Sequence, residues 1–171
     1  MADQGTYKGK PASPDTVKFK TDFQGIPIHV DRPKGFSMFG TTDKGEAWTR
    51  EYKYDYGFIP KTKGGDGDGI DVFVGDSPDA AETYWAVQTK PDGSFDEYKV
   101  FMGFDNRDAA IAAYREHIPR RLMKGMVTMR IEMMKAMLGI DSDGLIKKTA
   151  ALVTASFLDE LIQIQRTSCA N

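Results

Sequence analysis

Cysteine is almost absent from this chain: the single thiol, Cys169, lies near the C-terminus. One cysteine builds no disulfide framework, and with only His29 and His117 beside it no Cys/His zinc site can be assembled. Long apolar runs are missing too. The most apolar window, Ala150 to Leu158, contains Thr154 and Ser156 and is too short to span a bilayer. The N-terminus has no apolar leader core, so no signal peptide is expected. Charge of one sign is also lacking. A net charge of −2 gives no basic field for bulk nucleic acid. No internal repeat of solenoid period is visible. What remains is an ordinary balance, 40% apolar and 28% charged over 171 residues, the size of one domain with a real core. The cytosol, or a particle assembled there, is the expected location.

Three regions follow from composition. Residues 1–16 are polar and rich in Gly, Pro and Ser, which predicts a flexible arm. Residues 17–139 alternate strand and turn signals before two helical ones. "IPIHVDRP" alternates as a strand until Pro33. "TTDKGEAWTREYKYDYGFI" predicts a hairpin, turning at Asp43-Lys44-Gly45 into an aromatic-rich strand. "GIDVFVGD" reads as a buried strand, and "TYWAVQTKPDGSFDEYKVFMGF" as a hairpin about Pro91-Asp92-Gly93. Asp105 or Asn106 can cap a helix over "RDAAIAAYREHI" that stops before Pro119. "GMVTMRI" predicts a last strand and "EMMKAML" a short helix ending at Gly139. Residues 140–171 predict a helical extension, capped by Asp141 or Ser142, with apolar residues at helical spacing. Short strands followed by helices imply an α+β domain, a small β-barrel with helices on one side.

The chemistry concentrates in "KTKGGDGDGIDVFVGD", residues 61–76. Asp66, Asp68 and Asp71 fall within six residues, and carboxylates that close repel one another unless a cation compensates. Asp66 and Asp68 share a face of an extended chain, and Asp71 needs a turn at Gly69 to join them. A cup of carboxylates suits a hard cation such as Mg²⁺. It is not an EF-hand, because the sixth position is Asp71 rather than Gly and the twelfth is Ser77 rather than Glu. Taken alone, Asp-Gly pairs also read as plain turn chemistry.

The surroundings favour the cation. "YGFIP", a spacer, "DGDGID" and an apolar strand together resemble the signature of the family I soluble inorganic pyrophosphatases. The resemblance implies an oligonucleotide-binding-type β-barrel with Mg²⁺, or Mn²⁺ in its place, at the mouth. It implies that Tyr56 contacts phosphate, that Asp66, Asp68 and Asp71 are the central metal ligands, and that Asp68 is the base for the attacking water. "DGSFDEYK" resembles the family's second acidic cluster, with Asp92 and Glu97 as metal ligands and Lys99 as a phosphate contact. Asp96 is an equally available ligand. "IHVDRPKG" resembles the family's first strand, with Asp31 in place of glutamate. Lys34, Arg50 and Arg120 complete the candidate phosphate contacts.

A closer resemblance, through "RPKGFS", "YGFI", "GGDGDGIDVFVG" and "FDEYKVFMGF", is to pyrophosphatase-like domains of bacteriophage and prophage proteins. The departures from the enzymes are local. Ile118-Pro119 stand where a Tyr-Lys pair grips phosphate, and Met38 and Phe39 where a basic residue is expected. Two functions therefore compete. One is a Mg²⁺-dependent phosphohydrolase acting on pyrophosphate or a related compound. The other is a silent phage particle protein reusing the barrel, associating with itself or with other particle proteins. A nucleic-acid binder is disfavoured by the acidic mouth.

The residues also have plainer readings. Tyr52, Tyr54 and Tyr56 can pack across a strand. Asp92 can serve its own turn, and Lys99 can be a solvated strand residue. His117 reads as a helix-end residue and His29 as an exposed strand residue. The methionines of "MVTMRIEMMKAM" read as packing.

Overall fold

The structure, a computed structural model, describes residues 17–42, 44–64 and 69–140. The expected N-terminal arm, the C-terminal helical extension, and Asp66 and Asp68 lie outside the described residues.

Among the described residues nine strands and two α-helices run in the order β1 Phe19–Phe23, β2 Ile26–Arg32, β3 Ser37–Thr41, β4 Ala47–Glu51, β5 Asp55–Ile59, β6 Ile70–Val74, β7 Glu82–Thr89, β8 Phe95–Met102, α1 Arg107–His117, β9 Met123–Arg130 and α2 Ile131–Leu138. Seven strands form one mixed sheet in the order β1-β2-β5-β6-β8-β7-β9, and β3 and β4 form a separate hairpin. The α+β class holds. Barrel closure is not seen: β1 and β9 are edges of the sheet. Phe23, Ile26 and Ile28 belong to a buried cluster that also holds Val127 and Met129 of β9 and Met134 of α2. The Gln24 side chain donates to the carbonyls of Pro78 and Ala80, at 2.9 and 2.8 Å, just before β7.

Both faces of the sheet are covered. One packs the cluster just named, with Trp85, Val72, Val100 and α2. The other packs Phe73, Phe101, Tyr84 and Met126 against Ala110, Ala113 and Tyr114 of α1. Double coverage explains why β7 is buried from Thr83 to Thr89. The methionines behave as packing, with Met126, Met129 and Met134 all buried.

Local chemistry places most boundaries where the sequence puts them. Asn106 caps α1 by accepting from Ala109 N, and α2 ends at Gly139. The expected aromatic-rich strand is interrupted. It ends at Glu51 and restarts at Asp55, because the chain bends to bury Tyr52 against Tyr56, Phe73 and His117. The Tyr56-Gly57-Phe58 pattern also acquires a cause. A Cβ on Gly57 would stand 2.0 Å from the His29 carbonyl oxygen, so only glycine lets β2 and β5 approach.

Candidate active site

The site grows from three strand positions on one face. β6 and β8 run parallel with Asp71 directly opposite Lys99, and β5 lies antiparallel on the other side of β6. Side chains two apart share a face, so Glu97 joins Lys99 on β8. The Tyr56 hydroxyl donates to Asp71 at 2.5 Å. Lys99 Nζ donates to the same Asp71 oxygen at 2.5 Å, pairs with Glu97 at 2.9 Å and reaches the Tyr56 hydroxyl at 3.1 Å. Lys99 is buried, so it is not a solvated strand residue.

The electrostatics follow from this packing. Burial opposes the charge of Lys99, but Asp71, Tyr56 and Glu97 outweigh it and hold its pKa well above the usual lysine range. Burial also opposes the Asp71 charge, and Lys99 more than compensates, keeping that carboxyl below its ordinary value. Glu97 is left as the weaker acid. Burial, with the Asp71 charge adding, raises it to about 7 despite Lys99. Burial and Asp71 together hold the Tyr56 phenol protonated.

Two β-bulges aim further acids, and neither is visible in the periodicity. In β2 the register passes from Val30 opposite Gly57 to Arg32 opposite Tyr56, so Asp31 is the extra residue. Its Oδ1 is buried with no hydrogen-bond partner, and its other oxygen lies 3.8 Å from Arg32 Nε. Burial raises the Asp31 pKa, with Arg32 opposing and Asp71 adding. In β8 Gln88 pairs with Glu97 and Thr89 with Phe95, so Asp96 is the extra residue. Asp96 and Glu97 both accept from Gln88 Nε2, at 3.1 and 3.0 Å.

Several predicted residues lie elsewhere. Asp92 accepts from Ser94 N and Oγ within its own turn. Lys34 is exposed and pairs with Asp76 at 3.0 Å. Arg50 lies on the β3–β4 hairpin over the Trp48 ring. Arg120 is exposed in a 3₁₀ turn after Ile118-Pro119. Tyr54 packs on Phe104, and His29 is half-buried against Phe58.

Four residues escaped sequence reasoning because their roles depend on distant partners. Arg32 donates to the Tyr52 hydroxyl at 3.0 Å and lies over the Tyr56 ring at 5.0 Å, which puts a guanidinium beside the cluster. Gln88 is the amide just described. Thr62 ties the end of β5 to the start of β6. Its hydroxyl donates to Ile59 O at 2.6 Å and accepts from Ile70 N at 2.9 Å. His117 is buried, with Nδ1 2.7 Å from Ala113 O and Nε2 accepting from Lys53 N at 3.0 Å. Burial lowers its pKa, so it is a neutral structural clasp.

The donor set is suited in kind to a hard divalent cation: its free groups are carboxylate oxygens, one of them orphaned at Asp31. Among the described residues no three acidic or imidazole side chains converge as a cage. There the Lys99 ammonium supplies the positive charge between Asp71 and Glu97.

A tyrosine, a lysine and two carboxylates thus gather on one sheet face. The chain belongs to the inorganic pyrophosphatase family: residues 2–139 match the family model described as "Inorganic Pyrophosphatase". It is 41% identical over 64 residues to an inorganic pyrophosphatase of Ralstonia nicotianae, a match spanning 37% of this chain and 30% of that protein. A solved structure described as an inorganic phosphatase from Anaplasma phagocytophilum aligns with 67% of this chain and 79% of its own. It does so at 17% identity and a TM-score of 0.22, a level that carries no argument. No helix among the described residues is long and apolar enough to cross a membrane.

Proposed function

We propose that this chain hydrolyses a phosphoanhydride, with pyrophosphate as the substrate and Mg²⁺ as the cofactor. The observation that supports this most is the buried Tyr56–Asp71–Lys99–Glu97 cluster, in a chain of the pyrophosphatase family. When bound, divalent cations would acidify water and neutralise phosphate oxygens.

The roles of the chain's own residues follow from their charge states. Asp71 is ionised and Tyr56 protonated, so the first offers a metal-binding oxygen and the second a hydrogen-bond donor. Lys99 carries a permanent charge that can turn from Asp71 to a phosphate oxygen. Arg32, steadied on Tyr52 and Tyr56, supplies a second cation and takes the part expected of Arg50 or Arg120. Asp66 and Asp68 complete the metal set, and Asp68 accepts the proton of the attacking water. Glu97, Asp96 and Asp31 are the further carboxylates, while Asp92 is spent on its own turn. The Gln24 hydrogen bonds that tie the β1–β2 turn to the chain before β7 support a curl toward the barrel.

The test is phosphate release from a panel of pyrophosphate, longer polyphosphate, nucleotides and simple esters, with Mg²⁺ or Mn²⁺. Preference for pyrophosphate is expected. Inertness of the folded protein toward every compound would leave the particle-protein alternative.

A further inference from the structure

We propose that Gln88, held by Tyr114, is a positioning residue that fixes the Asp96 and Glu97 carboxylates for cation binding. This rests on the metal-dependent reading above.

The argument starts from an oddity of sequence. "TYWAVQT" is almost entirely buried, and a glutamine in such a strand is costly unless its amide is satisfied. Here both ends of the amide are used. Nε2 donates to Asp96 Oδ2 and Glu97 Oε1, and Oε1 accepts from the Tyr114 hydroxyl at 3.2 Å. The opposite orientation of the amide would aim its oxygen at two carboxylates, so their chemistry fixes which end is which.

The arrangement depends on two elements that are not neighbours in sequence. The β8 bulge turns the consecutive side chains Asp96 and Glu97 toward one donor. Tyr114, fully buried on α1, reaches the amide from the other side. One amide thus joins two carboxylates that would otherwise repel each other. It engages each through a single oxygen. Glu97 then meets Lys99, which meets Asp71, so the network runs from α1 to the centre of the site. Groups that orient ligating carboxylates in this way commonly control metal affinity tenfold or more.

The test is calorimetric titration of the full chain with Mg²⁺ and with Mn²⁺, without substrate. Gln88→Leu removes the donors at similar volume, and Tyr114→Phe removes one hydroxyl. The expected result is about tenfold weaker binding in Gln88→Leu. A smaller loss is expected in Tyr114→Phe, with no further loss when it is added to Gln88→Leu. That non-additivity is the signature of one relay rather than two packing defects. Should Gln88→Leu fail to fold, Tyr114→Phe alone decides, and wild-type affinity in that folded variant overturns the proposal. If the wild type binds and both folded variants bind equally well, Gln88 is only a packing residue and the pyrophosphatase reading stands. If the wild type binds neither ion, the metal reading falls and takes this proposal with it.

Discussion

Asp71 and Lys99 face each other across the parallel β6–β8 pair, and the ammonium lies 2.5 Å from the carboxylate. Both side chains are largely buried, so each is the other's main compensation for lost water. Lys99→Met leaves Asp71 and Glu97 buried without their cation. We expect a loss of about 3 kcal/mol in folding stability. The sign of its pH dependence follows from the acids that Lys99 keeps ionised. Without it Glu97 and Asp71 titrate higher, so their ionisation costs the variant more than the wild type as pH rises. A carboxyl raised in the folded state to about 7 from 4.5 contributes stability that is full below 4.5 and is lost as pH rises through 7. The Lys99→Met defect should therefore be larger at pH 8 than at pH 5, by urea denaturation without metal. A defect independent of pH would contradict it.

His117 predicts the opposite slope. Its pKa is lowered by burial, and Nε2 must stay unprotonated to accept from Lys53 N. A base depressed in the folded state contributes stability that is present above its ordinary value of 6.5 and is lost as pH falls below it. His117→Phe keeps the ring packing and removes the acceptor. It should cost about 1–3 kcal/mol at pH 8 and less at pH 5. Taking the difference from wild type cancels the contrary carboxylate contributions of Glu97 and Asp31.

Thr62→Val removes the hydroxyl that bridges Ile59 at the end of β5 and Ile70 at the start of β6. A loss of about 1–3 kcal/mol is expected, with faster proteolysis inside residues 60–69. Cleavage kinetics of the native protein would show it, and unchanged cleavage would deny Thr62 that role.

Gly57→Ala tests the reason for the aromatic-glycine-aromatic pattern. The added methyl meets backbone rather than a flexible side chain, so the β2–β5 pair must separate. A cost of at least about 3 kcal/mol is expected. Thermal denaturation close to wild type would mean that the pattern has another cause.

Strong local periodicity made much of the fold legible. β2, the β7–β8 hairpin, α1 with its Asn106 cap and α2 with its Gly139 stop all stand where their residues predict. β1 was not legible because four of its five residues are exposed. Asp71 was nameable from the acidic run, and Tyr56, Glu97 and Lys99 through the resemblance to the pyrophosphatase signature. Their contact was not, because it depends on parallel pairing of strands 28 residues apart. Arg32, Thr62, Gln88 and His117 act through partners brought by bulges, bends and helix packing, which no window of sequence encodes. Ile118-Pro119 mark the end of α1.

The most direct measurement is phosphate release from pyrophosphate with Mg²⁺, comparing wild type, Asp68→Asn and wild type with chelator. The account predicts turnover in the first, a loss of at least about 100-fold in Asp68→Asn with folding intact, and none with chelator. Turnover that survives both changes, or no turnover in the folded wild type with Mg²⁺ or Mn²⁺, would contradict it.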